Sequence, residues 1–160
     1  RPYIEVYFLR EEQEGEMKVH KKEVPIRTIK VGPSGKQQAI FDSIIHRLNY
    51  GETNMVWKYG PSKMADILSE FINHCLEKAP TDVHKDEIAY QIASEWAKAA
   101  NITKFSIQIE GGSAIVSLNR SGKPITVSEP AREFSRNFLH DNYLSPQGIW
   151  VSKSESTYLF

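Results

Sequence analysis

The sequence predicts a single α+β domain, in which an antiparallel sheet is covered by about four helices. Three observations carry that expectation. Residues 103–119 read as a hairpin whose two arms match about Gly111-Gly112. Residues 62–78 hold an apolar stripe at unbroken helical spacing. Residues 3–31 alternate apolar and polar side chains as strands do. The sheet is expected to combine an N-terminal hairpin or meander with the central Gly-Gly hairpin.

The N-terminal elements follow from their patterns. In 3–9, Ile4, Val6 and Phe8 alternate with Glu5 and Tyr7, which predicts a strand. Residues 10–16, REEQEGE, read as an acidic, solvated turn; a partner-binding tip is the sharper alternative. Residues 17–23 alternate again. Residues 24–31 continue as strand, bent or placed at an edge by Pro25, which has no N–H for a ladder. Residues 37–49 carry Ile40, Phe41, Ile44, Ile45 and Leu48 at helical spacing, with Gly51 suited to the C-cap. A short strand is expected at 55–59.

Met64, Ile67, Leu68, Phe71, Ile72, Cys75 and Leu76 then follow the i, i+3, i+4, i+7 rule without a miss, and Pro80 stops that helix. Thr81 or Asp82 is placed to cap a third helix reaching about residue 100. Its line is Ile88, Ile92 and Trp96, with Ala89, Ala93 and Ala97 beside it for close packing. In the hairpin, Gly111 and Gly112 suit a type I′ turn, which needs positive φ at both positions. Glu110 then faces Ser113, Ile109 faces Ala114, Gln108 faces Ile115, Ile107 faces Val116 and Ser106 faces Ser117. One face collects Phe105, Ile107, Ile109, Ala114, Val116 and Leu118, so a slip of one residue would destroy the match. Residues 120–124 form a turn and 125–127 a further short strand. Ser128 is a natural N-cap for a helix to about 142, with Phe134, Phe138 and Leu139 facing inward. Short strands at 149–152 and 157–160 complete the chain.

Twenty basic and twenty acidic residues cancel, which removes bulk electrostatics as a pointer to nucleic acid or to a membrane surface. No apolar run approaches the ~20 residues that cross a bilayer, so no membrane partner is expected. Cys75 is alone, which forbids an internal disulfide and favours a reducing, cytoplasmic setting. The start at Arg1 rather than Met fits a piece excised from a longer chain or a trimmed start.

The motifs are sparse. Gly32-Pro33-Ser34-Gly35-Lys36 has the strand-to-helix setting of a phosphate loop, but a Walker A loop needs four residues between its glycines and Ser or Thr after Lys. Lys36 at a helix start can still hold an anion. Arg120, Lys123, Arg132 and Arg136 make the other basic set. Arg132 and Arg136 are i, i+4, a spacing that phosphate could bridge; Glu129 and Glu133, each three residues earlier, explain it equally well by intrahelical pairing. No His group has metal-ligand spacing, and no cofactor is implied. Cys75 lies on the apolar stripe and reads as an inert core thiol. His140-Asp141 near Ser135 lacks the elbow motif of a serine hydrolase. The aromatics, Trp150 among them, suit a core as well as a stacking surface.

The order helix, helix, hairpin over 62–119 resembles that of a winged helix-turn-helix module. Its electrostatics do not, since the second helix opens His84-Lys85-Asp86-Glu87 and the hairpin tip is Glu110-Gly111-Gly112. The leading expectation is therefore a non-catalytic interaction or regulatory module. It would bind a protein partner through an exposed strand edge or the N-terminal hairpin. A nucleic-acid-binding domain using Lys36, Arg120, Lys123, Arg132 and Arg136 comes second. A small enzyme with His and carboxylate chemistry comes third.

Overall fold

A computed structural model describes the backbone of residues 3–14, 17–22, 27–30, 39, 41–46, 60–100, 102–145 and 148–154, and the side chains of 39, 41–46, 60–100, 102–145 and 148–153. Its architecture is α+β, with antiparallel strands and four helical segments among those residues. The chain divides into two units, residues 1–56 with 141–160, and residues 57–140. The strands fall into two sheets, so the expected joining of the N-terminal strands and the Gly-Gly hairpin in one sheet is corrected.

In the first unit, β1 (Tyr3–Glu14) is the central strand. It pairs with β2 (Met17–Lys22), with β3 (Arg27–Lys30) and with the later β7 (Ile149–Ser154), all antiparallel. Leu9 faces Lys22 while Val6 faces Arg27, so three steps along β1 match five along its partner. Pro25 lies between, outside the described residues. The acidic stretch at 10–16 is shorter as a turn than expected: Glu14 pairs with Met17, and residues 10–14 are strand. Ladder hydrogen bonds to β2 outweigh the weak strand preference of Glu, Gln and Arg. β6 (Asn142–Leu144) pairs with β7. Phe41, on helix α1 (41–46), and Val151 centre a small core with Ile44, Ile45, Tyr143 and Ile149 packed on it. The Lys153 ammonium sits 5.0 Å from the Phe41 ring centre and 3.9 Å from the Asp141 carboxylate. Trp150 is buried and donates its indole N–H to Asn142 Oδ1 at 3.0 Å, which makes it a core residue. The strands expected at 55–59 and 157–160, and most of the 32–38 loop with Lys36, lie outside the described residues.

In the second unit, α2 (Pro61–Leu76) buries all seven residues of the predicted stripe. Pro61 occupies the first helical position, where its missing N–H costs nothing. α3 (Lys85–Ala99) buries Ile88, Ile92, Trp96 and the three alanines. Its N-cap is His84 rather than Thr81 or Asp82. Val83 N–H is drawn back to the Pro80 carbonyl, so 80–83 closes as a turn before the helix begins. β4 (Ser106–Glu110) and β5 (Ser113–Ser117) pair in the predicted register, and Gly111 and Gly112 both take positive φ, at 59° and 80°. Residues 125–127 add no strand. Pro124 has no N–H to give, and the Ser128 N–H goes to the Glu87 carboxylate. α4 (Glu129–Asp141) is capped by Ser128, whose carbonyl accepts from Arg132 N and whose hydroxyl accepts from Ala131 N. Its buried line is Ala131, Ser135 and Phe138. The Phe138 ring meets Phe71 edge-on at 5.1 Å.

Candidate functional site

The two edges of the β4–β5 hairpin are treated differently by the rest of the unit. With a two-residue turn, Glu110 and Ser113 form a hydrogen-bonded pair. The residues of the next pair, Ile109 and Ala114, and of the pair after Gln108–Ile115, Ile107 and Val116, therefore aim their backbone groups outward. On the β5 side α2 meets them. Asn73 works as a strand amide would: its Oδ1 accepts from Ala114 N at 2.6 Å, and its Nδ2 donates to Ala114 O at 3.1 Å. One turn earlier, Ser69 Oγ accepts from Val116 N at 2.9 Å and donates to Ala65 O at 2.7 Å. An i, i+4 pair on one helix thus closes that edge.

Among the described residues, the bond that closes the β4 edge is at its base, where Gly122 N–H donates to Phe105 O at 2.9 Å. Among the described residues nothing bonds the outward N–H and C=O groups of Ile107 and Ile109. Their side chains are half-buried, while the cross-strand partners Val116 and Ala114 are 4% and 1% exposed. Apolar surface and four backbone groups are therefore left along the same edge.

Arg132 and Arg136 line a groove of about 460 Å³ with Leu139 and His140 of α4 and with Gln91 and Glu95 of α3. The groove holds both signs of charge. Arg132 Nε lies 3.6 Å from Glu129 Oε1, the intrahelical pairing that the sequence offers, whereas Arg136 makes no ion pair among the described residues. Glu95 accepts from Gln91 at 3.2 Å and lies 4.0 Å from Lys98. Arg120 and Lys123 do not line this groove. Both are exposed, and they flank Gly122 beside Ser106: a Cβ added to Gly122 would come 2.8 Å from Ser106 Cβ. Arg120 and Lys123 thus lie apart from the groove that Arg132 and Arg136 line. Two share a groove, two share a loop at the base of β4, and Lys36 lies outside the described residues.

His84, Asp86 and Glu87 place ligand-type atoms within 4.8 Å of one another at the start of α3. Asp86 accepts from Glu87 N, and the Ser128 N–H held by the Glu87 carboxylate keeps that acid below its usual range. Cys75 is fully buried, and burial pushes its thiol up to about 12, far from a reactive thiolate. Ser69 and Asn73 escaped sequence reasoning. Their signal was present, as uncharged polar residues at i, i+4 directly beside Leu68 and Ile72 of the buried stripe. No family model, curated protein or solved structure matches the chain.

Proposed function

We propose that this chain is a non-catalytic interaction module that takes an extended protein segment as an added strand along β4. The supporting observation is the asymmetry of the hairpin, with β5 closed by Asn73 and Ser69 and β4 left with four outward backbone groups. An added strand would satisfy those four groups in register and cover the part of Ile107 and Ile109 that is left exposed. β4 also lacks the proline and lysine that commonly guard an edge. The groove on α4 gives less support to a nucleic-acid reading, because Glu95 and Glu129 stand among its arginines.

Amide hydrogen exchange tests this directly. In the free protein at low concentration, the Ile107 and Ile109 amides exchange quickly, and those of Ala114 and Val116 slowly. Peptides selected from a displayed library for binding then slow Ile107 and Ile109. Slow exchange at those two amides in the isolated monomer would remove the proposal, as would selected peptides that protect no β4 amide.

A further inference from the structure

We infer that the segment taken by β4 is the extended C-terminal end of a protein partner, laid antiparallel to β4 with its terminal carboxylate at the basic loop 120–123. This occupant rests on the open-edge reading above and narrows it to one end of a chain and one direction.

The lane beside β4 has a stop. Ile107 and Ile109 aim their backbone groups outward, and by the same alternation so does Phe105. Gly122 is already seated at Phe105: its N–H holds the Phe105 carbonyl at 2.9 Å, and a Cβ built on it would lie 2.8 Å from Ser106 Cβ and 3.0 Å from Ser106 Cα. The space beside Ser106 is taken by this chain's own loop. An added strand can pair with Ile109 and Ile107 and must then end or turn away.

The open groups fit a chain end. In an antiparallel segment the last residue faces Ile107 and the third from last faces Ile109, both as hydrogen-bonded pairs. Each donates its N–H to the isoleucine carbonyl opposite. Ile109 N–H donates to a peptide carbonyl, and Ile107 N–H donates to an oxygen of the terminal carboxylate. All four outward groups are used, and the carboxylate stands on the near side of the stop. Directly opposed residues share a face, so the last and third-from-last side chains lie with Ile107 and Ile109 and are apolar, while the penultimate one faces the wet side with the exposed Gln108.

Charge sets the direction. Arg120 and Lys123 flank Gly122 at the stop; both are exposed, and neither makes an ion pair among the described residues. At the other end of the edge Glu110 is exposed, and Lys85 of α3 donates to Gly112 O at 3.5 Å, so the charges of the tip offset each other. A parallel segment ending at the stop would bring an ammonium against Arg120 and Lys123. An antiparallel one brings a carboxylate. Arg120 and Lys123 are then carboxylate-recognition residues rather than nucleic-acid contacts.

Two pools of N-acetylated octapeptides with apolar last and third-from-last residues test this, one with free C-terminal carboxylates and one amidated. Binding is read by fluorescence anisotropy, and amide hydrogen exchange locates it. The tightest binders are expected in the free-carboxylate pool and should slow exchange at Ile107 and Ile109. Amidating such a peptide, or extending it by Gly-Ser, should weaken it by at least about tenfold. Arg120→Gln/Lys123→Gln should weaken the free acid by a similar factor and leave the amide's affinity unchanged. Both residues are exposed, and circular dichroism verifies that the variant is folded. Peptides that protect Ile107 and Ile109 equally well as amides, or whose free acids ignore the double variant, overturn carboxylate capture and spare the open edge. Carboxylate-dependent binding that protects no β4 amide uses another surface and overturns it too. An absence of β4 protection by either pool overturns both this occupant and the open-edge reading.

Discussion

Asn73 is the residue whose role depends most on distant chain. Its carboxamide closes a backbone pair 41 residues away, and no solvent replaces it fully at a part-buried site. Asn73→Ala should lower stability by about 1–3 kcal/mol, the cost of leaving buried polar groups without partners, as measured by urea unfolding. Asn73→Asp keeps the acceptor for Ala114 N–H but turns a carboxylate toward Ala114 O, so it should recover little. Cys75 gives a pH prediction. Its thiol is neutral in both states below its ordinary value, and above it only the unfolded chain ionises until about pH 12. Stability should therefore fall as pH rises through that window, by about 1.4 kcal/mol per unit, or about 2 kcal/mol between pH 8 and pH 10. Comparing the wild type with Cys75→Val at both values isolates this loss from other titrations. Glu87 runs the opposite way. Its acid is held down in the folded chain, so its contribution is present above the ordinary carboxylate range and is lost as pH falls through the folded value. The acid limb of the stability profile should be shallower in Glu87→Gln.

At the scale of the element, the hairpin is where local and long-range requirements agree. Gly111 and Gly112 both sit in the left-handed region, so alanine at either position should cost about 1 kcal/mol in thermal or urea unfolding. Asn at Gly111 should cost less, since its short polar side chain tolerates that region. The register of β4 on β5 was legible in the sequence because two independent constraints, a two-residue glycine turn and a period of two, admit one solution. α2 was legible for a similar reason: seven apolar positions over three turns leave one face to bury. The cap of α3 was not. Thr81 and Asp82 have the right chemistry, but the Pro80 carbonyl captures Val83 N–H and delays the helix. Residues 125–127 look like a strand, yet with Pro124 before them and Ser128 N–H given to Glu87 they have no ladder to join.

For the whole molecule, a zero net charge gives no bulk electrostatic pull toward a charged partner. The candidate basic set shows what the whole fold decides. Arg132 and Arg136 were placed on one helix face by spacing alone, and they do share a groove. The sequence offered no means of knowing that Glu95, from a different helix, stands across from them, or that Arg120 and Lys123 flank a contact to Ser106.

The sequence by itself determined the α+β class, the stripe of α2, the Ser128 cap of α4 and the hairpin register. Each follows from periodicities and backbone preferences that act within about one element's length. Only the tertiary structure decided which hairpin edge is closed, and that the hairpin and the N-terminal strands belong to separate sheets. A strand's outward N–H and C=O groups are the same chemistry whatever comes to meet them. Their partners, Asn73 and Ser69, arrive from 41 and 47 residues away, and no local pattern in β5 records that arrival.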